Sequence, residues 1–201
     1  MFYAVIPNGT RIRPTHTGQT AFCASCNGKV ISKCGRINIW HWSHTSTEDC
    51  DSWSEPITIF HQMLQNGMEY NGAQIEIPIR KNNILHRADA VFPNGKIVEV
   101  QCSPLSPDDI EKRECFYENM VWLFDIQNAY DSQKFLVREN KGYFTFRWKH
   151  PQKSITYANK PVYLYLGLNL LFKVETLYKN IPCGGWGQII TWSNFLNEMK
   201  K

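Results

Sequence analysis

The chain of 201 residues has no apolar run close to the roughly 18 residues that a membrane-spanning helix needs. Its most apolar stretch, residues 162–172, is interrupted by Gly167 and Asn169. The segment from Met1 to Ile6 is too short for the apolar region of a secretory signal. We therefore expect no membrane partner, no secretory signal and a cytoplasmic protein.

The chain also has little net charge, with 22 Lys and Arg against 18 Asp and Glu and a formal charge of +4. This excludes a polycationic coat for nucleic acid, although a local basic face remains open. There is no internal repeat, low-complexity tract or long linker. Because 43% of the residues are hydrophobic, one medium domain, or a small and a medium one, can bury a core.

The cysteines are seven in number, and several of them lie close to histidines in residues 21–50. An odd number in this arrangement favours a metal site in a reducing compartment over a disulfide scaffold. Cys23-x2-Cys26 supplies two of the four ligands that tetrahedral zinc requires. Such a zinc ion would be structural, because four protein ligands leave no open position for a substrate.

The second pair of zinc ligands is ambiguous from the sequence. His41 and His44 would point to opposite faces of an extended strand, so ligation by both would need a turn. We predict that His44 and Cys50 complete the site and keep His41 as the alternative fourth ligand.

Acidic and amide side chains lie on two predicted neighbouring strands. Residues 87–92 and 96–102 read as strands joined by a turn at residues 93–95. The first strand carries Asp89, and the second carries Glu99 and Gln101, which share a face because they are two apart. A buried pair of carboxylates is costly without a positive group between them. Mg²⁺ or Mn²⁺ fits, because hard cations take oxygen ligands.

The periodicity of the chain predicts a mixed α/β protein. From residue 53 the predicted order is α, β, β, β, α, β: a helix at 56–68 capped by Ser54, strands at 74–79, 87–92 and 96–102, a helix at 106–119 capped by Ser106, and a strand at 121–126. Pro78 indicates an edge strand. The last third is less regular, with strands at 142–148 and 162–166 and a helix at 189–200. We predict three parts: a zinc-binding segment (1–52), a core (53–128) and a C-terminal extension (129–201).

The pattern Asp89-x9-Glu99-x-Gln101 resembles the active site of PD-(D/E)XK nucleases, with Gln in the usual place of Lys. The longer string Glu-Val-Gln-Cys-Ser-Pro-Leu-Ser at 99–106, followed by Arg113, Tyr117 and Val-Trp-Leu at 121–123, resembles the competence protein CoiA family. The upstream Cys and His pattern resembles it too, so the resemblance covers roughly residues 20–126. It implies a PD-(D/E)XK core of the restriction-endonuclease type.

The resemblance also implies roles for single residues. Asp89, Glu99 and the Val100 carbonyl would bind Mg²⁺ or Mn²⁺, and Gln101 would orient the attacking water. Arg113, which shares a helix face with Tyr117, could supply the positive charge that the missing Lys would carry. Glu55 could be the extra acidic residue found on the first helix of many such nucleases, or an ordinary charge at a helix start. Glu76 is a further acidic candidate.

The function implied is a metal-dependent deoxyribonuclease that acts on DNA, with single-stranded DNA among its candidate substrates, in processing, recombination or defence. Recombination or defence proteins are the expected partners. A non-cleaving DNA-binding accessory or recombination mediator that keeps the nuclease fold is the alternative. A third hypothesis, a zinc-stabilised interaction module, gives Asp89 and Glu99 no role.

Overall fold

The computed structural model describes residues 1–37, 39–46, 50–53, 58–178 and 183–201. The fold is mixed α+β and contains both antiparallel and mixed sheets. It divides into two compact units, formed by residues 1–70 with 74–90, and by residues 71–73 with 91–201. Among the helices in these described residues, none is long and apolar enough to cross a membrane. The three-part division predicted from the sequence stays a prediction.

The first unit begins with a small antiparallel sheet and ends with a helix and a hairpin. Its elements are β1 (Ala4–Val5), β2 (Arg11–Ile12), β3 (Thr20–Phe22), β4 (Lys29–Lys33), β5 (His41–His44), α1 (Ile59–Tyr70), β6 (Gln74–Lys81) and β7 (Ile84–Val91). The first five strands form one sheet in the order β2-β1-β3-β4-β5. A hairpin near the start of the chain turns at Gly9 between β1 and β2.

The core of the small sheet is minimal. Its buried members are Ala4, Ala21, Cys23, Val30 and Trp42. The Trp42 indole, 1% exposed, donates from Nε1 to the Ile12 carbonyl at 3.2 Å, which ties β5 to β2 across the sheet. So few apolar side chains give little hydrophobic stabilisation, and small domains of this kind commonly need a metal or another cross-link.

The hairpin of β6 and β7 depends on two asparagines. Asn82 and Asn83 both have positive φ, 49° and 62°, which is the conformation that the two central residues of a type I′ turn require. Asn adopts this region more readily than most residues. The strand predicted to begin at residue 87 therefore starts earlier, at Ile84, and β6 is the terminal strand of its sheet, as Pro78 indicated.

The second unit is built on a larger sheet. Its elements are β8 (Ile97–Gln101), α2 (Pro107–Tyr117), β9 (Met120–Asp125), α3 (Gln127–Asp131), β10 (Phe135–Asn140), β11 (Tyr143–Trp148), α4 (Lys153–Tyr157), β12 (Val162–Gly167), β13 (Leu170–Tyr178), β14 (Cys183–Thr191) and α5 (Trp192–Met199). These strands follow the order β10-β11-β14-β13-β12-β9-β8. β8, β9 and β12 run parallel, whereas the other pairs are antiparallel.

Helix α2 begins where the sequence predicted. The Ser106 hydroxyl accepts a hydrogen bond from the Asp109 amide at 3.1 Å, and Pro107 takes the first helical position. Asp108 and Asp109 lie in the first turn, where the positive end of the helix dipole stabilises carboxylates. The helix connects β8 to β9, and the predicted order α, β, β, β, α, β is confirmed for residues 59–125.

One predicted helix start is wrong, and another falls on residues outside the described part of the chain. The first helix begins at Ile59, where the Thr58 hydroxyl accepts from the His61 amide at 3.1 Å; the predicted cap, Ser54, and Pro56 lie outside the described residues. The last helix begins at Trp192 rather than near Ile189, because residues 189–191 continue β14. Thr191 then caps the helix by accepting from the Asn194 amide at 3.2 Å.

The Glu114 carboxylate of α2 holds the second unit together at a buried point. Glu114 is 6% exposed, and its Oε1 accepts from Trp122 Nε1 at 2.9 Å, the Asn159 amide at 2.8 Å and the Lys160 amide at 3.0 Å. One oxygen therefore links α2 to β9 and to the chain entering β12. A buried carboxylate is tolerated here because three donors stabilise its charge.

We expect Glu114→Ala to lower the free energy of unfolding by about 2–4 kcal/mol, because it leaves three buried donors unpaired. Thermal and urea unfolding of the purified variants measure this change. Glu111→Ala, an exposed change on the same helix, is the matched control and should stay within about 0.5 kcal/mol of the parent. Equal stabilities for the two variants would contradict this role of Glu114.

Candidate metal centre and acidic sites

The Cys23–Cys26 pair occupies a tight turn between β3 and β4. The Cys23 amide donates to the Gly28 carbonyl at 2.8 Å, and the Asn27 amide donates back to the Cys23 carbonyl at 2.9 Å. Asn27 has a positive φ of 59°, which closes the turn. The Ser25 and Gly28 amides point at Cys23 Sγ and Cys26 Sγ at 3.4 and 3.3 Å. The turn thus presents two sulfur atoms, each with an amide donor that stabilises a thiolate.

His44, the last residue of β5, and Cys50 complete a group of four possible ligands. The ligand atoms of Cys23, Cys26, His44 and Cys50 all lie within 4.8 Å of one another. His41, the alternative ligand, is not in the group, and its Nδ1 lies 2.7 Å from the Ile39 carbonyl. The four residues predicted from the sequence therefore converge and could bind zinc.

The spacing within the group fits a tetrahedral zinc ion. Cys23 Sγ and Cys50 Sγ are 3.6 Å apart, and Cys26 Sγ and His44 Nε2 are 3.4 Å apart. With Zn–S near 2.3 Å and Zn–N near 2.0 Å, a regular tetrahedron has edges of about 3.8 and 3.6 Å. An added Cβ on Gly28 would lie 3.1 Å from Cys26 Sγ, so glycine keeps this approach open.

The electrostatics of the two buried thiols also favour a cation. Burial opposes ionisation of Cys23, but hydrogen bonds from the Cys26 and Ser25 amides outweigh it and lower the pKa of Cys23. Burial, and then the charge of the nearby Cys23, raise the pKa of Cys50. A single negative charge on the pair therefore opposes a second one, whereas zinc binding stabilises both sulfur atoms as thiolates.

Asp51, the residue after Cys50, attaches this segment to β7. Asp51 is 4% exposed; its Oδ1 accepts from the Trp53 amide at 2.9 Å and lies 2.8 Å from His86 Nδ1. Its Oδ2 accepts from the Arg87 amide at 2.8 Å. The Trp53 ring stacks on the His86 ring, with centroids 3.2 Å apart and planes 5° from parallel. The sequence analysis gave these residues no joint role, and only the adjacency of Asp51 to a ligand could have indicated one.

Asp89 lies on β7, two residues beyond this attachment, and faces helix α1. Its Oδ1 is 2.9 Å from His61 Nε2, and Gln65 Nε2 donates to the same oxygen and to the Asp89 carbonyl, both at 3.2 Å. His61 and Gln65 are four residues apart, so they share one face of α1. The sequence analysis assigned no function to His61, although this spacing was a readable signal.

Glu99, Gln101 and Arg113 are all buried in the second unit, and Arg113 approaches Glu99. All five residues of β8 are buried, with Glu99 4% and Gln101 fully buried, and the Val100 backbone lies between them. From α2, Arg113 Nη1 approaches Glu99 Oε2 at 3.5 Å. Gln101 Nε2 donates to the carbonyl and hydroxyl of Ser103 at 2.6 and 3.1 Å. Tyr117, like Arg113, is buried on α2.

Of the other two acidic candidates, the structure describes Glu76 but not Glu55. Glu55 lies outside the described residues. Glu76 is 4% exposed and accepts from the Phe2 and Tyr3 amides at 2.6 and 3.0 Å, which anchors the start of the chain to β6. Asp89 belongs to the first unit and Glu99 to the second. Their predicted sharing of one cation stays a prediction.

Residues 9–52 match the family model described as Competence protein CoiA, N-terminal domain. This match supports the competence protein CoiA family. The matched CoiA segment contains all four members of the Cys and His group. Neither the curated proteins nor the solved structures gave a match.

For the CoiA-like segment, we expect about one zinc ion per chain, measured by native mass spectrometry or elemental analysis. Cys23→Ser should lose both the metal and the thermal unfolding transition of this segment, because assembly of a zinc site is coupled to folding. Cys115→Ser, which removes an exposed thiol from α2, is the control and should keep full zinc content. Carefully prepared protein without bound zinc would contradict the site.

Proposed function

We propose that this protein is a metal-dependent deoxyribonuclease with a PD-(D/E)XK core and a structural zinc ion. The observation that carries the proposal is the burial of Glu99 and Gln101 on β8, with the Arg113 guanidinium approaching Glu99. A carboxylate and an amide on an otherwise apolar strand, and an arginine buried on α2, are costly to remove from water. Their positions match the residues that the sequence resemblance assigns to catalysis.

The proposed cation site rests on the spacing of Asp89 and Glu99 in the sequence. These two carboxylates and the Val100 carbonyl would hold Mg²⁺ or Mn²⁺, since hard cations prefer oxygen ligands. When bound, such an ion activates a water molecule and offsets charge on the scissile phosphate. Glu55, on the chain leading into α1, is retained as a further acidic candidate.

The protein's own side chains would then position the reacting groups. His61 and Gln65 hold Oδ1 of Asp89 from α1, which fixes the direction of the carboxylate. Arg113 would donate to a phosphate oxygen and stabilise charge that develops during hydrolysis. Gln101 cannot act as a base; its proposed role is to orient the attacking water by a hydrogen bond.

The contacts of Gln101 favour the second candidate function, a DNA-binding accessory that does not cleave. Its amide nitrogen already donates to both the carbonyl and the hydroxyl of Ser103. A side chain engaged in this way serves to shape the end of β8. In the accessory, the nuclease fold would bind DNA or a recombination protein and leave the phosphodiester bond intact.

The setting proposed for either function is the reducing cytoplasm. No disulfide joins any of the seven cysteines, all of which the structure describes. DNA, including single-stranded DNA, is the proposed substrate, and proteins of recombination or defence are the proposed partners. The CoiA match is consistent with a role in processing DNA.

We expect Asp89→Asn and Glu99→Gln each to abolish cleavage of circular single-stranded and supercoiled duplex DNA in the presence of Mn²⁺ or Mg²⁺. Each variant removes one ligand charge from the shared cation, so water activation is lost. The measurement is the appearance of linear and nicked products on a gel over time, with EDTA as the metal-free arm. Zinc content should match the parent protein, and each variant should keep a cooperative unfolding transition, although the loss of the buried Glu99 charge lowers the unfolding temperature.

Asp131→Asn and Glu111→Gln make the same chemical changes at exposed positions of the second unit and are the controls. Both should cleave at the parental rate. If a purified variant with both Asp89 and Glu99 changed still cleaved DNA, the activity would have to lie at another site. Binding without cleavage by the parent protein, with every cation tested, would support the accessory function instead.

The role of Arg113 predicts that even Arg113→Lys lowers the cleavage rate, by about 10²–10³-fold, because a point ammonium cannot reproduce the planar, two-pronged donor. The comparison is between cleavage rate and DNA affinity, and the affinity should change far less. Arg147→Lys, at an exposed position on β11, is the control. A parental rate in Arg113→Lys would reduce Arg113 to a structural partner of Glu99.

A further inference from the structure

A cleft of about 300 Å³ opens on the first unit, apart from the zinc group. It is lined by one exposed indole, three apolar side chains, one guanidinium and one amide: Trp40, Phe2, Pro14, Ile39, Arg13 and Gln62. Trp40 is 49% exposed, which is unusual for the largest apolar side chain. Its Nε1 donates to the Gly35 carbonyl at 3.2 Å, so the indole is held by its edge.

The cleft shares helix α1 with Asp89. One stripe of the helix, His61 and Gln65, contacts Asp89. The next stripe begins at Gln62 in the cleft wall and continues through Asn66 and Glu69, which accept from Arg13 Nη2 at 2.8 and 2.6 Å. Because neighbouring stripes lie about 100° apart around a helix of 3.6 residues per turn, the cleft and Asp89 flank the same short helix.

The chain around the cleft is strongly basic. Residues 1–47 contain five Lys and Arg and no Asp or Glu, so the remaining 154 residues hold 17 basic and 18 acidic side chains. Lys29, Lys33 and Arg36 of this part are exposed. Three zinc-bound thiolates would leave one net negative charge on the metal group, which does not cancel the excess. The positive charge that averages to +4 over the chain is therefore concentrated in residues 1–47, the part of the chain that carries Trp40 and Arg13.

We propose that the Trp40 cleft is a nucleobase-binding site that recruits single-stranded nucleic acid. An aromatic face surrounded by basic side chains is the combination that holds a strand by stacking one base and contacting its phosphates. Gln62 supplies donor and acceptor atoms for the edge of the base, and Pro14 and Ile39 enclose it. A duplex is excluded, because its bases are already stacked on one another. The inference rests on the proposed function in one respect, namely that the bound strand is the substrate of the Asp89 site.

Fluorescence anisotropy with the full-length, zinc-loaded protein tests the cleft directly, without added Mg²⁺ or Mn²⁺ so that the strands stay intact. The probes are a fluorescein-labelled oligothymidylate and an abasic strand of the same length. We expect the base-bearing strand to bind about 5- to 150-fold more tightly, the range that one stacked base gives. Trp40→Ala should remove this preference and leave the abasic affinity unchanged, whereas Trp40→Phe should keep most of it.

Tyr178→Ala, which removes an exposed aromatic ring from the second unit, is the matched control and should keep the preference. Zinc content and unfolding temperature should be equal in all variants. Equal binding of the two probes by the parent protein would overturn the proposal, and so would an unchanged preference in Trp40→Ala. Competition by a duplex as strong as that by the single strand would also overturn it, since it would leave a purely electrostatic surface.

An oligouridylate arm separates the two sources of such a base. A preference for the deoxyribose strand assigns DNA, and a preference for the ribose strand assigns RNA; both support the cleft. The outcome is also separable from the nuclease proposal. A Trp40-dependent preference in a protein that never cleaves DNA would support the cleft proposal and contradict the nuclease proposal. Asp89-dependent cleavage without such a preference would support the nuclease proposal and contradict the cleft proposal.

Discussion

The buried carboxylate of Asp51 is the constraint on which the first unit most depends. It follows a zinc-ligand candidate directly, and it is held by the His86 ring and by the amides of Trp53 and Arg87. The small sheet has few apolar side chains of its own, so its attachment to β7 cannot come from hydrophobic packing alone. A fully engaged carboxylate fixes the position of a chain more sharply than apolar contact does, because its hydrogen bonds are directional.

Apart from Asp51, four acidic residues of this protein fall into two kinds. Glu76 and Glu114 are surrounded by backbone and indole donors, and each joins segments distant in the chain. Asp89 and Glu99 instead face side chains, a histidine and an arginine, which can turn or exchange partners. Backbone donors cannot turn away, so they suit a carboxylate whose role is permanently structural. Side-chain partners suit a carboxylate that must also meet a cation or a substrate.

The structure could be predicted from the sequence wherever residues close together in the chain determine it. The Ser106-Pro107 cap, the Pro78 edge and the Cys-x2-Cys turn each follow from nearby residues. The sequence was insufficient where distant strands decide. Neither β13 nor most of β14 was predicted, and in β14 the glycines at 184, 185 and 187 are typical of loops and depleted in strands. The contact of Asp51 with His86 joins residues 35 apart, and no spacing rule reaches that far.

Those same glycines show that composition alone can mislead about which positions tolerate substitution. A Cβ at Gly185 would collide with the carbonyl oxygen of Thr176, and one at Gly187 with that of Lys173. Both oxygens belong to β13, whose backbone leaves room for a hydrogen atom and nothing larger. The glycine-rich stretch resembles a dispensable loop in composition, but it is a strand paired closely with β13. Any larger residue at either position would collide with the backbone of β13 and disturb its pairing with β14.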